Sequence, residues 1–109
     1  MKNQDKEYSL EQIRIAQAEI ALEMGNAGLT KNEMLSLEKA TLHLRNLERL
    51  LVTTLEKNMI AALKEEAKAL KTLSEEMEDT SKRLFRLTNF LREIVKITGR
   101  VIDILALVK

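Results

Sequence analysis

One apolar stripe narrows the folds open to this chain more than any other feature. Leu37, Ala40, Leu44, Leu47, Leu51 and Leu55 recur at three- and four-residue steps, the spacing that gathers side chains on one face of an α-helix. A second series, Met77, Leu84, Leu87, Leu91, Ile94, Val101, Leu105 and Val108, keeps a nearly heptad step, with Thr80 and Thr98 as polar interruptions. No proline breaks either stripe, and glycine occurs only three times in 109 residues. Leu, Ala, Glu and Lys dominate, and such side chains lose little rotamer freedom in a helix. The expected fold class is all-α, with residues 1–109 forming a single helical domain.

Two helix starts are written locally. Ser9 with Gln12, and Thr30 with Glu33, each match a capping box, in which two side chains satisfy two otherwise unpaired backbone N–H groups. Tyr8 with Ile13, and Leu29 with Met34, occupy the positions of hydrophobic staples. The first helix is therefore expected over about 9–24, ended by Gly25 in a left-handed conformation, with NAGL as the loop.

From Lys31 onward no glycine or proline stops the helix before Gly99. An unbroken rod to residue 109 would be roughly 120 Å long, so a turn is expected. The segment SEEMEDTSKRLFR (74–86) bears on its place, because four acids, Glu75, Glu76, Glu78 and Asp79, give way to Lys82, Arg83 and Arg86. A break at Asp79–Ser81 sets these charges against the helix macrodipole, whereas a break at 72–74 sets them with it. The turn is thus expected at 72–74, with Ser74 or Thr72 as the cap. Glu78–Lys82 and Asp79–Arg83 would then be favourable i,i+4 pairs. TTLE (53–56) also fits a capping box and marks a further break near 52–58. The expected architecture is a short first helix (9–24) beside a long antiparallel hairpin (31–71 and 74–108). This makes a three-helix, coiled-coil-like bundle that is expected to be oligomeric.

Composition narrows the function classes. The net charge is +1, which argues against a dedicated nucleic-acid binder, whose phosphate contacts need a basic excess. There is no cysteine, hence no disulfide framework or thiolate chemistry; a cytoplasmic protein is expected. The N-terminal MKNQDKEY has no apolar run of the kind a signal peptide carries, and no stretch approaches the about 20 apolar residues of a membrane span. His43 is the only histidine. Its i±3 and i±4 neighbours, Lys39, Ala40, Asn46 and Leu47, include no carboxylate, so the Glu-x-x-His pattern of helical metal sites is missing. No nucleophile motif surrounds any Ser or Thr. GNAGLT (25–30) follows a helix and lacks the Walker pattern, so it reads as a helix connection. An enzyme is not expected, nor a cofactor, a metal or a catalytic residue.

The last helix carries the candidate surface. VIDILALV (101–108) is apolar nearly all round, and such a helix must be buried or bound. Phe85, Gly99, Val101, Ile102, Ile104, Leu105, Leu107 and Val108 are the expected interface, with Gly99 admitting a neighbouring backbone. Lys82, Arg86, Lys96 and Arg100 share a polar band and form a candidate face for an anionic partner. Residues 82–100 hold six bases and one acid, and 56–79 hold seven acids and four bases, so complementarity within the hairpin is the first explanation of that face. The expected function is a non-enzymatic interaction module, an adaptor, scaffold or regulator, that self-associates through apolar helix surfaces and also takes a heterologous protein partner. A peripheral membrane-surface protein using the basic, apolar last helix is the alternative. A weak binder of nucleic acid or another acidic partner is the third reading.

Overall fold

The computed structural model describes residues 3–53, 59–80 and 82–107, and the side chains within them except those of residues 3–5 and 80. The described residues form four helices: α1 (Asn3–Met24), α2 (Lys31–Val52), α3 (Ile60–Thr80) and α4 (Phe85–Leu107). They are of nearly equal length, 21 to 23 residues. Each packs mainly on two neighbours, α1 on α2 and α4, and α3 on α2 and α4. Arg83, in the α3–α4 turn, donates to the Gly28 carbonyl in the α1–α2 connection, so these two connections share one end. The result is an up-down-up-down four-helix bundle, 49 Å long and 17–21 Å across.

The helix count corrects the expected three-helix hairpin. A 41-residue helix would be about 60 Å long, and a first helix of 9–24 would leave much of its leucine stripe uncovered. Folding near mid-length lets four stripes share one core. Ile13 and Ile20, then Leu37, Leu44, Leu47 and Leu51, then Leu63, Leu70 and Met77, then Leu84, Leu91 and Ile94 are all buried there. Each such side chain contributes about 1.5–3 kcal/mol when fully buried.

The break near 52–58 is present: α2 ends at Val52, and Thr53 donates its backbone N–H to the Arg49 carbonyl. The capping box assigned to 53–56 falls mostly outside the described residues. The turn expected at 72–74 is not there. α3 runs through it, with Ser74 buried and its hydroxyl donating to the Lys71 carbonyl. The chain turns instead between Thr80 and Phe85, against the macrodipole. That penalty is about 0.3–1 kcal/mol per charge at the surface, less than the burial of Leu73 and Met77 on one side and Leu84 on the other. Cross-helix bonds also engage the misplaced charges: Arg92 donates to Glu78, and Arg83 bonds to Gly28 and lies 3.9 Å from Glu33. Because the break falls between them, Glu78–Lys82 and Asp79–Arg83 are not pairs on one helix.

Thr30 caps α2 as expected, with the full reciprocal box to Glu33 at 2.9 and 3.1 Å. Ser9 is not a cap. α1 begins by Asn3, and Ser9 lies in its interior, fully buried. Its register places it in line with Ile13, Ala16 and Ile20 on the core face, and that face decides the helix start. α1 does end at Met24, but no glycine among the described residues has positive φ. Tight i→i+3 bonds, Gly25 N–H to the Leu22 carbonyl and Asn26 N–H to the Glu23 carbonyl, close it instead.

Among the described residues, two buried hydroxyls, those of Ser9 and Thr98, find no hydrogen-bond partner. A buried unsatisfied group costs about 1–3 kcal/mol. Thr98→Val keeps the shape and removes the group, so it is expected to raise stability by about 1 kcal/mol. A urea midpoint that falls would show that the Thr98 hydroxyl is bonded in solution.

Candidate interaction surface

The segment 101–108 divides along its length. Val101 and Ile102 belong to the bundle's own core. Ile104 is half-buried, and Leu105 is half-buried against that core. Leu107 stands in solvent, 79% exposed. Val108 lies outside the described residues. Phe85 opens α4 and is 57% exposed. Gly99 does not meet a neighbouring backbone within the chain: a Cβ added there would find nothing within 4 Å. One chain therefore closes only part of a surface that the sequence leaves apolar nearly all round, with the exposed Asp103 as the exception.

The basic positions lie outside the core. Lys82, Arg86, Lys96 and Arg100 are all exposed. Arg86 lies 3.8 Å from Glu19 on α1, and Lys96 lies 3.7 Å from Glu93 one turn back. Exposed pairs of this length contribute about 0–1 kcal/mol, so the face keeps its positive character.

Sequence reasoning missed a second surface. Tyr8, Ile15 and Leu22 recur every seven residues along α1, within an arc of about 40°, and all three are exposed, Leu22 to 80%. Leu35 and Leu42 repeat the step on the outer face of α2. The signal was present as heptad spacing out of phase with the core stripe. Glu7 and Glu11 are exposed beside the α1 series, and Glu19 borders it on the α4 side.

His43 has the carboxylate partner that its own helix lacks. Its Nδ1 lies 2.9 Å from Glu66 Oε1 on α3. Asn46 donates to the other Glu66 oxygen at 3.4 Å, and Arg49 donates to Asn46 at 2.9 Å. His43 also lines an open groove of about 620 Å³ between α2 and α3, with Lys39, Glu65, Lys68, Thr72 and Glu76. Its lining carries both signs of charge. Among the described residues, no group of three or more His, Asp or Glu side chains could hold a metal ion, and no helix is long and apolar enough to cross a membrane.

One polar junction ties α1 to α2 and responds to pH. Arg14 Nε donates to Glu48 Oε2 at 2.9 Å, and Gln17 donates to Oε1 at 3.2 Å. The Arg14 bond, helped by Gln17 and by the Arg14 charge, lowers the Glu48 pKa below the ordinary carboxylate value against the opposing effect of burial. A carboxyl depressed on folding stabilises the fold above its unfolded pKa, and that contribution is lost as pH falls through its folded pKa. Arg14→Ala is expected to flatten this part of the acid limb. Urea unfolding of both proteins from neutral to acid pH measures it; parallel curves would mean that the junction contributes nothing.

Comparison with known proteins finds no match to the chain among family models, curated proteins or solved structures.

Proposed function

We propose that the chain is a non-enzymatic protein–protein interaction module, an adaptor, scaffold or regulator, that self-associates through apolar helix surfaces. The observation that carries this reading is the set of large apolar side chains left in solvent around a core that is already filled. Leu22 and Leu107 are the most exposed of them, and Tyr8, Ile15, Leu35, Leu42 and Phe85 accompany them. Lone exposed apolar residues are ordinary, but the heptad series on α1 has the spacing with which one helix offers a seam to another. A cytoplasmic setting belongs to the same proposal, resting on the absence of cysteine.

Light scattering of the purified chain over a concentration series, at low and high salt, tests the reading. Mass above that of one chain is the expected result. A monomer at high micromolar concentration defeats self-association. Salt-sensitive binding to anionic vesicles by such a monomer would favour the membrane-surface alternative, in which the basic residues of α4 face lipid headgroups between Phe85 and Leu107.

A further inference from the structure

We propose that two copies of this chain pair through the side of the bundle formed by α1 and α4, with α1 of each copy lying on α4 of the other. The inference rests on the self-association reading and assigns it a surface and a symmetry.

The two helices on this side carry opposite charge. On α1 the exposed series Tyr8, Ile15 and Leu22 runs between Glu7 and Glu11 on one border and Glu19 on the other, with small Ala18 exposed beside it. On α4 the outward positions include Arg86, Asn89, Glu93, Lys96, Arg100 and Asp103, all exposed, three bases against two acids, with Glu93 already near Lys96. The Arg86–Glu19 pair lies between the two helices and fixes their register. α1 and α4 are antiparallel, so stepping back along α1 from Glu19 corresponds to stepping forward along α4 from Arg86. Glu11 then stands at the level of residue 94, between Glu93 and Lys96, and Glu7 at that of residue 98, between Lys96 and Arg100.

A twofold axis parallel to the bundle preserves these levels. It sets α1 of one copy against α4 of the second, and the reverse on the other side of the axis. Glu7 and Glu11 then face Arg100 and Lys96 of the second copy, twice over. The aliphatic stems of those bases cover Tyr8 and Ile15 while their charged ends reach the glutamates, and Tyr8 offers its ring face to a cation. A twofold axis perpendicular to the bundle instead puts α1 on α1. That arrangement matches Ile15 with itself but brings Glu11 to the level of Glu19, and Glu7 to that of Glu23, and such like-charge contacts are unfavourable. The first arrangement brings Glu11 near Glu93 too, but there Lys96 stands beside Glu93, so the balance of charge favours the first arrangement. It is closed, each copy using the same patch, so it ends at a dimer. A side 49 Å long and 17–21 Å across can supply the about 800 Å² per partner of a standard interface.

The test uses the full chain in sedimentation equilibrium at low and high salt. Wild type is expected to dimerise and to weaken as salt rises. Glu7→Lys with Glu11→Lys is expected to raise the dissociation constant about a hundredfold or more, and Lys96→Glu with Arg100→Glu to do the same. All four substitutions in one chain restore opposite charges across the interface and are expected to restore the dimer. Circular dichroism confirms that each variant keeps its helices. If wild type associates and both double variants associate equally well, this pairing is wrong while self-association stands. A monomeric wild type removes both.

Discussion

Leu91→Ala is expected to remove about 2–5 kcal/mol of folding stability, the range for emptying a buried leucine site. A domain of this size has only about 5–15 kcal/mol in total. Leu91 is fully buried in the first third of α4 and belongs to the core cluster shared by all four helices. Its neighbours cannot collapse onto the vacated space without moving a helix, so the loss should fall toward the upper part of the range. The loss should be the same at low and high protein concentration, because the core is closed within one chain and only contacts between copies depend on concentration. Urea denaturation read by circular dichroism gives both values. A loss under about 1 kcal/mol would place Leu91 at a loosely packed surface, and a loss confined to high protein concentration would mean that another copy completes the core.

The helical class and the core stripes were legible because they are periodic. Leu37, Leu44, Leu47 and Leu51 were read as one face, and they are one face. The Thr30–Glu33 box was legible because its chemistry is local and complete within four residues. Ser9 and Gln12 show the same signature without the same outcome. A box contributes only about 0.5–2 kcal/mol, and placing Ile13, Ala16 and Ile20 in the core outweighs it. The turn after α3 was misplaced for a related reason. The macrodipole alone does not decide the order of acids and bases around residue 80, because some of these charges find partners elsewhere in the bundle, as Glu78 does with Arg92 and Arg83 does with Gly28. His43 shows the limit most directly, since its carboxylate partner Glu66 is 23 residues away. No scan of its own helix could find that partner before the α2–α3 pairing was known. The heptad series on α1 is hidden for another reason: Tyr8 also fits a staple, and Ile15 and Leu22 alone do not make a stripe.

The second large effect separates the two halves of the C-terminal segment. Ile102→Ala is expected to cost about 2–5 kcal/mol, toward the lower end because the site is near the end of the bundle. Leu107→Lys, five residues on, is expected to change stability by no more than about 0.5 kcal/mol. The contrast follows from what each side chain touches. Ile102 lies in the core cluster, while Leu107 stands in solvent, where a lysine keeps its charge hydrated. If residues 101–108 acted as one surface waiting for a partner, both substitutions would leave the isolated chain equally stable, and both would act only on association. Thermal unfolding of the two variants at low protein concentration, where association is weakest, distinguishes the cases. Equal and small losses would return Ile102 to an intermolecular role. A large loss for Ile102→Ala alone would assign Val101 and Ile102 to folding and leave Leu107, at the tip of α4, as the part of this segment still able to meet another molecule.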